Sequence, residues 1–269
     1  MTRMYVTAYE SALNFRSTPE RLPGNRIGSL HLLQPVEVIE QANDQYVKCR
    51  ADIGGQSMTG FAAKSFLRLT TTPHREALLA AVHREYMRFD RGLGQEHVKP
   101  YSGFVGEMWK ALKIKLDGTD RDQPWSAAAI SFMVRNAGPA YSKFAFAAAH
   151  SKFIHAAIQA RVREDSGYPF WGFRLHEAKP QLGDIVARDN PLFAPKVDFD
   201  VAANLQSYRS HTDIIVHIDS EKQKAVAVGG NVGDSVGVAI YDLTPGDFLA
   251  STEHTFALLR NITDDAETL

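Results

Sequence analysis

The sequence predicts an α+β domain preceded by a small all-β barrel, and three observations carry that prediction. Residues 1 to about 70 are short β-branched and aromatic runs cut by turn residues. Beyond them, apolar residues recur at helical spacing, and from Leu182 the strand pattern returns. Helices first and strands afterwards is an α+β order.

In the first stretch, "YVTAYE", "GSLHLLQPVEVIEQ", "YVKCRAD" and "GFAAKSFLRL" read as strands. The intervening "TPERLPGN", "AND" and "IGGQ" supply turn geometry through Gly, Pro and Asn. Five or so short strands at this spacing suggest a barrel over residues 1–70. "TTTPH" at 70–74 reads as a linker, and a second domain follows over 76–269. There, "REALLAAVHREYMRF", residues 126–136 and the Ala-rich "FAFAAAHSKFIHAAIQARV" at 144–162 are expected helices. "GDIVAR", "TDIIVHID", "KAVAVGGN" and "SVGVAIYDL" are expected strands of an antiparallel meander. The chain shows no internal repeat and no low-complexity tract.

Composition narrows the function classes. With 30 basic and 31 acidic residues the formal net charge is −1, so no global field favours nucleic acid or an anionic membrane. No apolar run approaches the ~20 residues that span a bilayer, and no Sec-type signal is visible at the N-terminus. The single cysteine, Cys49, excludes an internal disulfide framework and reads as a small buried hydrophobe. A metal site fails on ligand supply, since His-Glu-x-x-His, paired cysteines and carboxylate-rich loops are missing. Neither "GNRIGS" nor "GGNVGDS" is a phosphate loop, so no cofactor is expected.

Two family resemblances cover most of the chain. "LNFRSTP", "RIGSLHLLQPVEVIEQ" and "TGFAAKSFLRL" resemble the opening, hairpin and closing strand of a bacterial SH3-like domain. Phe61 stands where that family usually has Trp, and Gln34 where Gly is common. The second resemblance is to the CHAP and NlpC-type papain-like hydrolases. It is closest to a subfamily with the pattern Pro-Trp-(Cys or Ser)-Ala-Ala-Phe-(Ile or Val)-Ser, which "PWSAAAIS" follows with Ala129 in place of the aromatic. "LGDIVARD" and "SHTDIIVHIDSEKQKAVAVGGNVGDSV" resemble later strands of that fold.

These resemblances imply a cell-wall hydrolase that cleaves an amide in peptidoglycan, with Ser126 where the attacking cysteine usually stands. Ser126 falls at the first turn of a helix, where a serine is also a common cap. A dipole that would ionise a thiol leaves a hydroxyl protonated, so Ser126 needs a general base. His211, opening a strand, is the expected base, with Asn231 or Asp213 orienting it and Asp219 a rival. His150, in "AAAHSKFI", reads either as a core histidine or as a second active-site histidine or substrate clamp. His155 and His217 read as structural or exposed. Asp184 and Arg174 could line the cleft, and Tyr168, Phe170 and Trp171 form an aromatic core or a cleft wall.

The expected partners are peptidoglycan and, for an antibacterial effector or lysin, an immunity or delivery protein; nucleic acid and a membrane span are not expected. Synthesis in the cytoplasm and a signal-independent route to the periplasm or cell wall fit this reading. A non-catalytic module that binds peptidoglycan or a partner on a retired scaffold is the alternative. An amidase or transferase acting on another acyl substrate inside the cell is a third.

Overall fold

The computed structural model describes residues 2–190 and 196–264, which divide between Thr71 and Thr72 into two compact units. The first unit holds β1 (Thr2–Val6), β2 (Leu13–Arg16), β3 (Arg26–Leu30), β4 (Pro35–Gln41), β5 (Tyr46–Ile53), β6 (Gln56–Ala63) and β7 (Leu67–Leu69). They form one antiparallel sheet in the order β3-β2-β6-β5-β4-β1-β7. The sequence suggested about five strands. The run from Gly28 to Gln41 is divided by Leu33, whose φ of 66° turns the chain, and a single 3-10 turn at Lys64–Phe66 separates β6 from β7.

Val6, Leu13, Phe15, Leu30, Val36, Cys49, Ala51 and Ala62 share the buried core of this unit. Burial pushes the Cys49 thiol up to about 11, so it stays protonated and apolar. Gln34, where glycine was expected, is tied down from both ends of its amide. Its Oε1 accepts the His31 N–H and its Nε2 donates to the Asp52 carbonyl.

The second unit is mixed α+β. Its helices are α1 (Pro73–Arg88), α2 (Tyr101–Ala111), α3 (Ser126–Asn136), α4 (His150–Val162) and α5 (Phe199–Asn204). Its strands are β8 (Phe170–Phe173), β9 (Ile185–Asp189), β10 (Ser210–Asp219), β11 (Lys224–Gly230), β12 (Val236–Asp242) and β13 (Thr255–Asn261). The sheet order is β12-β11-β10-β9-β13-β8, with every pair antiparallel. The expected meander is present, since β9 to β12 are consecutive antiparallel neighbours, and β13 and β8 extend the sheet beyond β9.

α1 starts on Pro73, whose fixed φ suits the first helical position. Its Leu78, Leu79 and Val82 are buried. α3 is buried along most of its length, and its alanines let it lie close to the sheet. A Cβ on Gly230 of β11 would come within 2.2 Å of the Ala129 Cβ, so the helix–strand approach requires a glycine there. The opposite face of β9 to β13 packs in a second core that includes Val186, Ile215, Ala227, Tyr241 and Leu258.

One expected helix is shortened. Residues 144–149 are not helical, and α4 begins at His150 after an extended Ala149. Tertiary contacts win over the local alanine preference. Ser131 Oγ donates to the Ala147 carbonyl and accepts the Ala147 N–H, while Phe144 packs on Phe153 and Phe170.

Candidate active site

Ser126 is the first residue of α3, with Trp125 in the cap position. Trp125 is held by stacking on Phe89 and by its indole N–H donating to Glu96. The Ser126 hydroxyl does not cap its helix. It lies 2.7 Å from His150 Nε2. His150 is the first residue of α4, so two helix N-termini meet at this bond. On its other side, His150 Nδ1 lies 2.8 Å from Thr212 Oγ1 on β10. A proton on Nδ1 donating to Thr212 leaves the Nε2 lone pair to accept the serine hydroxyl.

His150 is 6% exposed. Burial holds its pKa well below the ordinary 6.5, the neighbouring His211 and Arg188 push it further down, and Asp213 partly opposes them. The imidazole is therefore neutral at pH 7. The positive end of the α4 dipole acts in the same direction.

The expected pairing of Ser126 with His211 is corrected by the structure: the imidazole bonded to Ser126 is that of His150. The reason is the two-residue period of β10. Thr212 falls on the face toward α4, and its neighbours His211 and Asp213 fall on the other. His211 Nε2 instead lies 3.0 Å from Asp213 Oδ1. Its ring centroid remains 5.2 Å from that of His150. Asp213 is fully buried and also accepts the Tyr241 hydroxyl. Burial raises its carboxyl, but the His211 charge and the two hydrogen bonds outweigh that and hold it below the ordinary range. Burial and the Asp213 charge drive Tyr241 well up.

Asn231 lies just past β11 with a φ of 57° and lines the same cavity as Ser126, His150 and His211. Thr212 and Asp213, rather than Asn231, hold the two imidazoles. The glycines before Asn231 are not merely turn residues. A Cβ on Gly229 would meet Asp213 Oδ1 at 1.7 Å, so Gly229 makes room for the buried carboxylate. Asp219 sits eight residues from His211 along β10, roughly 26 Å at strand rise, and its carboxylate accepts the Lys222 N–H in the following turn.

The cavity has a volume of about 860 Å3, and its wall includes Ser126, Ala127, His150 and His211. The first backbone bond of α3 runs from Ala129 N–H to the Trp125 carbonyl, so the N–H groups of residues 126–128 precede the intrahelical ladder. They are the natural donors for an oxyanion formed at Ser126.

Other candidates fall elsewhere. Asp184 is buried in an ion pair with Arg75 at 2.8 Å, with Arg260 at 3.4 Å, and is structural. Arg174 pairs with Asp200 and lines a separate cavity. Tyr168 and Phe170 are core, and the Trp171 indole donates to the Asp165 carbonyl. His155 Nδ1 bonds to the Ala202 carbonyl, and His217 lies on β10 next to a register shift. Among the described residues, no cluster of three His, Cys, Asp or Glu side chains could hold a metal, and no helix is long and apolar enough to cross a membrane. Sequence reasoning missed Thr212, Tyr241 and Arg188. Only Thr212 carried a signal, since it is the one residue between His211 and Asp213 that points to the helical face.

Comparison with known proteins adds the following. No curated protein matches the chain. Two solved structures from Trichomonas vaginalis are similar at 12% identity, each over 97% of this chain. One, "Structure of NlpC2", has 72% of its own chain covered and a TM-score of 0.24. The other, "Structure of NlpC1", has 68% covered and a TM-score of 0.21. TM-scores of this size do not establish a shared fold. A family model matches residues 92–261, from the short 3-10 turn after α1 to the end of β13 and across the whole cavity. By that match the chain belongs to the bacterial family described as "Uncharacterized protein conserved in bacteria (DUF2272)".

Proposed function

We propose that the second unit is a serine-dependent amide hydrolase acting on the peptide part of peptidoglycan. The observation that carries this reading is the continuous chain Ser126 Oγ, His150 Nε2, His150 Nδ1 and Thr212 Oγ1, closed by bonds of 2.7 and 2.8 Å at a cavity large enough for a peptide. Ser126 Oγ attacks the amide carbonyl while its proton passes to His150 Nε2. The tetrahedral oxyanion faces the first-turn N–H groups of α3. His150 then returns the proton to the departing amine, leaving an acyl ester on Ser126. Water attacks the ester with His150 as base, releasing the acid and restoring the hydroxyl. Thr212 fixes the tautomer, and Asp213 offsets part of the cost of the transient imidazolium.

Peptidoglycan as substrate rests on the motif resemblance to CHAP and NlpC-type enzymes. The first unit serves as an SH3-like docking barrel. Its one antiparallel sheet with a single shared core supports this role, because a lone sheet buries such a core by curling over it. Delivery to the cell wall as an antibacterial effector or lysin fits the same reading.

A second reading has its own supporting observation. His150 is oriented by a hydroxyl rather than a carboxylate and is strongly desolvated, which weakens it as a base. A retired scaffold that only binds peptidoglycan would have the same features. Purified sacculi treated with wild type, Ser126→Ala and Ser126→Cys separate the two. Muropeptide release by wild type that is lost in Ser126→Ala supports the serine hydrolase. Release by the cysteine form alone supports the retired scaffold.

A further inference from the structure

Asp213 is hydrogen-bonded to neither Ser126 nor His150, yet three residues are arranged around its buried carboxylate. Gly229 leaves the space that a Cβ would fill, the Tyr241 hydroxyl donates to Oδ2, and His211 Nε2 lies 3.0 Å from Oδ1. An ionised carboxylate only accepts, so His211 Nε2 carries a proton and donates it. The other ring nitrogen, Nδ1, has no hydrogen-bond partner among the described residues and is not one of the enclosed polar atoms. It therefore opens on the cavity whose wall His211 helps to form, and the His211 side chain is 13% exposed.

His150 is placed the other way round. Both of its nitrogens are engaged, one by Ser126 and one by Thr212, and the residue is nearly enclosed. An amine leaving through the cavity, or a water arriving through it, meets the free nitrogen of His211 and not one of His150. The two ring centroids are 5.2 Å apart, so both imidazoles stand at the same reacting centre. The charged and titratable groups facing His211 are Asp213 on its own strand, Tyr241 bonded to Asp213, Arg188 across the strand pair on β9, and His150 on α4.

We propose that His211 is a second catalytic histidine, whose Nδ1 protonates the departing amine and later takes the proton of the hydrolytic water, while His150 serves the Ser126 hydroxyl alone. This division of labour rests on the serine-hydrolase reading and moves to His211 the two steps that a one-histidine cycle gives to His150. The cycle starts with His150 neutral and a proton on each nitrogen of His211, the charge balanced by Asp213. Ser126 Oγ bonds to the carbonyl carbon and its proton goes to His150 Nε2. As the C–N bond breaks, the Nδ1 proton of His211 goes to the nitrogen, and the amine leaves. Water then gives a proton to the vacated Nδ1 while its oxygen bonds to the acyl carbon. The ester C–O bond breaks as Ser126 Oγ recovers its proton from His150, which frees the acid and returns both imidazoles to their starting states.

The ester p-nitrophenyl acetate separates the two histidines, because p-nitrophenolate leaves without a proton and only the second half of the cycle then needs His211. The assay is stopped-flow release of p-nitrophenol by wild type, His150→Gln and His211→Gln, with Ser126→Ala as the blank. His211→Gln, whose amide can still donate to Asp213, is expected to give a stoichiometric burst at the wild-type rate. Its later turnover is expected to slow roughly 100- to 10,000-fold, with acetylated Ser126 accumulating in the mass spectrum. His150→Gln is expected to give no burst, and added imidazole is expected to restore turnover to His211→Ala. Turnover of His211→Gln at the wild-type rate would overturn the role of His211 and leave that of Ser126 intact. Burst and turnover lost together, without rescue by imidazole, would do the same and mark His211 as structural. A wild type that releases no more p-nitrophenol than Ser126→Ala would sink the hydrolase reading and the second histidine with it.

Discussion

Replacing Thr212 with valine removes one oxygen from the site and nearly nothing else. The side chain is fully buried, and valine matches its shape. What is lost is the partner of His150 Nδ1 at 2.8 Å. Leaving a buried donor unpaired costs about 1–3 kcal/mol, so the second unit is expected to lose about that much in urea denaturation. The same bond fixes the tautomer in which Nε2 accepts from Ser126. If its loss is felt in the transition state, kcat falls roughly 5- to 150-fold at 1.36 kcal/mol per decade. Thr212 does not line the cavity, so KM for a soluble stem-peptide substrate stays within twofold, and Thr212→Ser restores most of kcat. A Thr212→Val enzyme that is destabilised yet keeps wild-type kcat would refute the reasoning, because the hydroxyl would then be structural only.

Further outcomes follow from the same contacts. Only neutral His150 can take the serine proton, so kcat/KM is expected to stay flat as pH falls past 6.5 and to drop only at the depressed pKa, read from a pH–rate profile. Because unfolded His150 titrates near 6.5 and the folded group lower, its contribution to stability is complete above 6.5 and is lost as pH falls below it, which denaturation at stepped pH measures. Gly229→Ala drives a methyl into Asp213 and is expected to cost about 1–3 kcal/mol, visible as a lowered Tm. In contrast, Gly103→Ala, an exposed helical site with nothing within 4 Å, should gain up to about 1 kcal/mol. Asp184→Asn strands the buried Arg75 and is expected to destabilise by about 3–5 kcal/mol without altering KM.

Much of the architecture was legible because it follows from periodicity. α1 and α3 have apolar positions at helical spacing, and β10 to β12 are β-branched runs between turn residues. α2 escaped notice because two glycines interrupt it, one of them Gly106, where an added Cβ would lie 3.2 Å from the Asp117 Cβ. The start of α4 was masked by alanines whose helical preference gives way to the bonds between Ser131 and Ala147. That error placed His150 in mid-helix, where it resembled a core residue, rather than at an N-terminus beside Ser126. The site residues Ser126, His150, His211, Asp213 and Asn231 were all visible as types in motifs. Which histidine faces the serine was not, because one step along β10 exchanges the faces of the sheet.

The central claim is that His150 makes the Ser126 hydroxyl nucleophilic. A fluorophosphonate probe tests this directly, since it forms a covalent bond only with an activated serine. Peptide mapping by mass spectrometry is predicted to find the adduct on Ser126 in wild type, with labelling lost in His150→Gln and retained in His211→Gln. No adduct on Ser126, or one whose formation ignores His150 and depends on His211, would contradict the account.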